Sequence, residues 1–380
     1  MVPPVLMIPG FSGSVLVNSK HPYKTMFHKR ILDNRWLNVY PYSPNYMKRW
    51  KHDMKCDLKI KDNRVIGYTN INHDIEPYDL YGIHGIQNIV GDFDILTKSQ
   101  QDIFNSIFNY RYFHDVNKVF LEKGYVPGHT LIGFPWDFRF VLDPLIRSHI
   151  FNLLQLKIES VVREQQKSMT IIAHSLGGVL IKWFLEDFVK QEWQEEYIAK
   201  LIFVNVPFGG TPNAVKAILI GDYFVPFFNN FFVEEFRHNS GIIMGLPNGL
   251  CYHMNDVHWY SDEKNKSITI KNYYEDQNIS YKLWRDLYVN HLINIGRVNH
   301  IPTTIFNSSD IETPACFWSK TLHDAPYKIV SEDGDGMIPT RSLNVGIDLF
   351  PNHKVIHLPK TSHTQAISHP KFLEYVKKLT

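Results

Sequence analysis

The sequence predicts an α/β chain built on a mostly parallel sheet, and three observations carry that expectation. Short apolar runs alternate with helical stretches through the middle of the chain, Pro-Gly and Gly-rich breaks bound the runs, and the alternation resumes after a long irregular segment. At 380 residues the chain is long enough to bury a substantial core. Its formal net charge of only +2 leaves no basic footprint for a nucleic acid and no acidic tail.

Residues Val5 to Ile8, "VLMI", read as a buried strand stopped by Pro9-Gly10. An irregular insert follows over about 20–95, and the "KGYVPG" break then leads into the apolar run "LIGFPWDF". From Asp143 the stretch "DPLIRSHIFNLLQLKIESVVREQQK" predicts a helix, with Asp143 at the N-cap and Pro144 in the first turn. Ile146, Ile150, Leu153, Leu154, Ile158, Val161 and Val162 make its apolar face. A strand over Met169 to Ala173, a turn at Ser175, the helix "GVLIKWFLEDFVK" and the strand "LIFVNVP" complete a strand-helix-strand unit, which requires parallel strands.

After Pro212 the rhythm breaks, and the aromatic, Asn-rich stretch over 213–300 reads as an inserted cap. Strand patterns return in "PTTIFNSS", "YKIVSEDGDGMIP" and "KVIHLPKTSH", before a last helix, "HPKFLEYVKKL". The most apolar stretch, from Tyr223, is cut by Asn229 and Asn230 and is too short to span a bilayer. The N-terminus reads as a strand and not as a signal segment, so a cytoplasmic or peripherally membrane-associated protein is expected. Three scattered cysteines, Cys56, Cys251 and Cys316, suit neither a disulfide framework nor a zinc site. Without HExxH or paired ligand spacing, no metal and no cofactor are expected.

"AHSLGG", Ala173 to Gly178, places Ser175 between a strand and a helix with small residues on either side, as a strained nucleophile turn requires. A serine hydroxyl is a poor nucleophile unless a base, an orienting carboxylate and oxyanion donors surround it. In the chain order Ser, acid, His, the acid should follow a later strand and the histidine the last one. Asp335, between Gly334 and Gly336, is preferred to Asp333 because the glycines let the backbone bring its carboxylate close to a ring. His363, in the loop after the last strand, is preferred to His357 inside that strand and to His369, which reads as a helix cap. His174 is expected to point away from the cleft and to pack. The amides of Leu176, after the nucleophile, and of Phe11, after Pro9-Gly10, are the expected oxyanion donors.

These ordered motifs resemble the lecithin:cholesterol acyltransferase family. "VLMIPGFSGSVL" is similar to its N-terminal strand and oxyanion turn, "GFPWDFR" to A-P-Y-D-W-R, "AHSLGG" to its elbow and "NVPFGGTP" to G-A-P-W-G-G. "EDGDGMIPTRSL" and "VIHLPKTSH" resemble the acid and histidine segments. The resemblance implies an α/β-hydrolase fold forming one domain over 1–380, with a lid or membrane-binding insert over 20–95 and a cap over 213–300. It puts the nucleophile on Ser175, the acid on Asp335, the base on His363 and the oxyanion donors on Phe11 and Leu176. Family members close the lid with a disulfide; here "DMKCDLKIKDNRV" keeps Cys56 with no nearby cysteine.

By the same resemblance the substrate is a glycerophospholipid at a membrane or lipid-particle surface, and the acyl group passes to a lipid alcohol such as a sterol, or to water. The first insert mixes Trp36 and Trp50 with Lys48, Arg49, Lys51 and Lys55, which suits a membrane interface. Within "GFPWDFR", Trp136 is a candidate for the cleft, and Asp137 with Arg139 for an internal pair supporting the elbow. A triacylglycerol lipase or carboxylesterase, and a lipid-binding protein without catalysis, are the alternative readings.

Overall fold

The computed structural model describes residues 2–18, 51–69, 71, 73–87, 112–222, 233–275, 279–293 and 296–379. Six strands form the central sheet: β1 (Val5–Ile8), β2 (Leu131–Gly133), β3 (Met169–His174), β4 (Ile198–Val204), β5 (Thr303–Ser309) and β6 (His353–Pro359). They lie in the order β6-β5-β4-β3-β1-β2, and every neighbouring pair is parallel. All residues of β1 and β3 are buried, which is why they read as largely apolar runs, β3 interrupted by Thr170.

Successive side chains point to opposite faces of the sheet. Leu6, Ile8, Ile171 and Ala173 join one core with the helices α1 (Pro144–Gln165) and α2 (Leu176–Asp187). Val5, Met7, Ile172 and Ile202 join the other with Val116 and Phe120, and with Phe372 and Val376 of the C-terminal helix. Helix α1 starts as expected: the Asp143 carboxylate accepts the amides of Leu145 and Ile146, and Pro144 opens the first turn. Ile150, Leu154, Ile158 and Val161 are buried, with Phe151 beside them, while Ile146, Leu153 and Val162 pack at the margin. The second oxygen of Asp143 accepts the Tyr68 amide, so this cap also ties the first insert to the helix.

One strand departs from the expectation. The run ending at Asp335 is not in the central sheet: Lys328–Gly334 pairs antiparallel with Ile311–Ser319. This hairpin joins Val257–Ser261 and Lys266–Thr269 in a second, four-stranded sheet. Ile311–Ser319 follows β5 after the single residue Asp310, whose φ of 64° turns the chain out of the central sheet. Pairing with the next stretch of chain closes a shorter loop than a parallel crossover would. Two strands of the 213–300 stretch thus belong to a sheet shared with residues beyond it.

The first insert also holds more order than its sequence suggests: an antiparallel hairpin, Asp57–Lys61 with Arg64–Thr69, and a strand, Ile75–Pro77, against Leu16–Asn18. Cys56, Cys251 and Cys316 are all thiols. Among the described residues no helix is long and apolar enough to cross a membrane.

Candidate active site

The carboxyl ends of β1, β3, β4 and β6 lead into one edge of the sheet, where ligands of open α/β sheets bind. Ser175 stands between β3 and α2 with φ 53° and ψ −136°, a conformation that strains any residue but glycine. Three glycines make the turn possible. A Cβ on Gly177 would stand 2.5 Å from the Pro9 carbonyl oxygen, one on Gly178 2.3 Å from Val206 Cγ2, and one on Gly10 2.6 Å from Ser175 Cβ.

Asp335 and His363 converge on this serine. Asp335 Oδ2 lies 2.6 Å from His363 Nδ1, and His363 Nε2 lies 2.9 Å from Ser175 Oγ. A carboxylate only accepts, so Nδ1 donates to it and Nε2 is the ring nitrogen turned to the serine hydroxyl. The other carboxylate oxygen accepts the amides of Met337 at 2.9 Å and Ile338 at 2.7 Å, which satisfies a group that is fully buried. Gly336 has φ 88°, and a Cβ on Gly334 would stand 2.4 Å from the Ile338 carbonyl oxygen, so both flanking glycines serve the turn.

The rejected alternatives sit elsewhere. Asp333 accepts the Asp310 amide and the Thr340 hydroxyl on the exposed side of the hairpin. His357 is an exposed residue of β6, and His369 caps the last helix by accepting the Lys371 amide. Phe11 lies edge-on to Phe138 at 4.9 Å, in a turn closed by a Gly13 amide to Gly10 carbonyl bond. Leu176 is the buried first residue of α2, where amides lack intrahelical acceptors.

Trp136 requires a correction. It is buried, its indole N–H donates to the Pro9 carbonyl at 2.8 Å and its amide to Ser14 Oγ at 2.9 Å, so it braces the turn from beneath and meets no surface. The Asp137–Arg139 pair is internal, but it supports the first insert more directly than the elbow. Arg139 grips Asp137 with Nε and a terminal nitrogen, and its other terminal nitrogen donates to the Asp53 carbonyl at 2.7 Å. Trp36 and Trp50 lie outside the described residues. Behind His363, His174, Tyr112 and Asn205 form a buried hydrogen-bonded group. The sequence singled out neither Tyr112 nor Asn205 and assigned His174 to packing. No cluster of His, Cys, Asp or Glu that could hold a metal ion occurs among the described residues.

A parallel sheet whose edge carries a strand-serine-helix elbow defines the α/β-hydrolase fold. The family profile described as Lecithin:cholesterol acyltransferase matches residues 93–308, more than half of the chain, and the chain belongs to that family. It is 28% identical to "Phospholipase A(1) LCAT3" of Arabidopsis thaliana over 60% of the chain and 47% of that protein. It is 22% identical to "Lysosomal phospholipase A and acyltransferase" of Canis lupus familiaris, over 99% of the chain and 91% of the canine protein. The "Phosphatidylcholine-sterol acyltransferase" of Gallus gallus is 23% identical over 75% of the chain and 67% of its own length. The chain thus spans less than half of this plant relative, 47%, and of a second one, "Lecithin-cholesterol acyltransferase-like 4" of Arabidopsis thaliana, 41%, and most of the canine one. In fold, it resembles a chain of the Tle4-Tli4 complex, with a TM-score of 0.53 at 10% identity, covering 99% of this chain and 98% of that one.

Proposed function

We propose that this protein is a serine-dependent lipid acyltransferase and phospholipase A. The observation that carries the reading is the single imidazole of His363, which bridges a buried carboxylate and the hydroxyl of an elbow serine. Membership of the lecithin:cholesterol acyltransferase family supplies the substrate class, a glycerophospholipid.

In the proposed reaction Ser175 Oγ attacks the acyl carbonyl of the lipid ester while His363 Nε2 takes its proton. Asp335 holds the ring in the required tautomer and stabilises the imidazolium. The amides of Phe11 and Leu176 hold the oxyanion. The ester C–O bond then breaks, His363 returns the proton to the departing oxygen, and an acyl-serine remains. Water or a lipid alcohol attacks that ester in turn, its proton passing to His363 and back to Ser175. Which acceptor wins depends on water exclusion and on how well an alcohol is held.

The first insert, 20–95, is assigned to the lipid surface and the 213–300 stretch to a cap. The hairpin of the insert supports the first assignment: Ile60 and Ile66 are exposed beside Lys59, Lys61 and Arg64, a pairing of apolar and basic groups that suits an anionic interface. The Trp36 and Trp50 side chains are proposed to act at the same interface, and the protein to be peripherally membrane-associated.

A product assay tests the reading. Purified protein is given phosphatidylcholine vesicles with a labelled acyl chain and a mixture of cholesterol, diacylglycerol and a long-chain alcohol, beside a Ser175→Ala control. Labelled ester on an acceptor identifies a transferase, and free fatty acid alone a phospholipase. In a parallel reaction, turnover of an emulsified triacylglycerol with none of phosphatidylcholine would make it a lipase, and vesicle binding with no product would leave a lipid-binding protein.

A further inference from the structure

The main-chain carbonyl of His363 accepts hydrogen bonds from two buried side chains, His174 Nε2 at 3.0 Å and Asn205 Nδ2 at 3.3 Å. A carbonyl only accepts, so His174 carries a proton on Nε2. Burial, and then the neighbouring His363, hold His174 well below the ordinary imidazole range, against the opposing pull of its bond to the carbonyl. The ring is therefore neutral and its Nδ1 accepts. Tyr112 Oη, 2.6 Å from that nitrogen, must donate, and the phenol oxygen in turn accepts the Gly10 amide at 2.9 Å. Burial pushes the Tyr112 phenol up, which keeps its proton in place.

Each proton in the line is thereby assigned: Gly10 N–H to Tyr112, Tyr112 O–H to His174, His174 Nε2–H to the His363 carbonyl. The line begins beside Phe11 and ends on the backbone of the imidazole that faces Ser175. The room for it is built in, since a Cβ on Gly13 would stand 2.6 Å from Tyr112 Cε1. Asn205 joins from the end of β4 with φ 46°, a conformation that asparagine tolerates better than most residues. Its Oδ1 accepts the Ser308 amide at 2.8 Å and its Nδ2 also donates to Ser308 Oγ at 3.0 Å.

We propose that Tyr112, His174 and Asn205 are positioning residues that hold the His363 main chain, and through it the imidazole, in register with Ser175 and with the turn carrying Phe11. The inference rests on the reading of His363 as the base. His363 lies in a loop after β6, where Lys360 already turns with φ 53°. Its amide donates to the Asp335 carbonyl at 2.9 Å, and the two side-chain donors secure the other side of the residue. A displacement of about 1 Å at a reacting group costs on the order of 100-fold in rate, so modest bonds to the loop have a large kinetic effect.

Tyr112→Phe, Asn205→Gly and His174→Leu each remove one link, and His174→Gln restores an amide donor toward the carbonyl. Asn205→Gly suits the left-handed backbone and Tyr112→Phe keeps the ring, so both fold even if His174→Leu does not. Two readouts are taken: kcat and KM for a short-chain p-nitrophenyl ester, and the titration of His363 by NMR of 13C-labelled histidine, assigned against His363→Gln. Expected are falls in kcat of about tenfold for Tyr112→Phe and Asn205→Gly with KM unchanged, recovery in His174→Gln relative to His174→Leu, and a moved His363 midpoint in the same variants. A kcat that falls only in step with thermal stability, with the His363 midpoint unmoved, reduces the group to fold support and overturns the proposal. If the unaltered protein does not hydrolyse the ester, or Ser175→Ala hydrolyses it equally, the base assignment fails by itself. The NMR titration then still decides positioning: a midpoint shifted by Tyr112→Phe upholds it, and an unmoved one refutes it.

Discussion

Gly10 and Ser175 are packed so closely that a Cβ on the glycine would stand 2.6 Å from the serine Cβ and 3.0 Å from its Oγ. The turn after β1 and the elbow after β3 are thus one packed unit, and a methyl group at Gly10 must push one of them aside. Gly10→Ala is expected to lower kcat for ester hydrolysis by on the order of 100-fold and stability by about 1–3 kcal/mol. Steady-state kinetics with urea unfolding measures both; an alanine variant with the parent rate would show that the turn does not govern the serine.

Ser175 pays for its position in backbone strain, with φ 53°. Ser175→Gly should therefore abolish turnover yet raise stability, by about 1 kcal/mol after the entropy of an added glycine is subtracted. Calorimetry of the two proteins checks this. A lower melting temperature for the glycine variant would mean that packing of the serine side chain outweighs relief of the turn.

Arg139 is fully buried and binds both oxygens of Asp137 and the carbonyl of Asp53. Arg139→Ala strands that carboxylate and should cost about 3–5 kcal/mol, while Arg139→Lys, with no planar fork, recovers only part. Because the third contact reaches the first insert, limited proteolysis over 51–69 should quicken in the alanine variant. Unchanged cleavage there would separate the pair from the insert.

His258 is buried in the second sheet, and burial, before any charge effect, lowers its pKa from 6.5 to about 4. The unfolded chain therefore binds a proton between those values that the folded chain refuses. The stabilisation is complete above pH 6.5 and is lost as the pH falls toward 4. The stability difference between the unaltered protein and His258→Gln should shrink by about 1.4 kcal/mol per pH unit across that window. A difference that stays constant from pH 7 to 4 in urea titrations would show that His258 charges freely in the folded state.

The strands of the central sheet, the cap of α1 and the serine elbow were legible in the amino-acid order alone. These depend on local signals: runs buried on both faces, an Asp-Pro helix start, and small residues around Ser175. Asp335 and His363 were legible from chain order and flanking glycines. Their strand context was only partly so, because Lys328–Gly334 has the composition of a strand but nothing that names its sheet. Its pairing with Ile311–Ser319, the burial of Trp136 as a brace and the reach of Arg139 to Asp53 follow from the folded arrangement and not from local pattern. The same holds for the line from Gly10 through Tyr112 and His174 to His363. Its directly bonded neighbours are up to 189 residues apart, and a hydrogen bond depends on where the folded chain places two groups, which neither periodicity nor composition records.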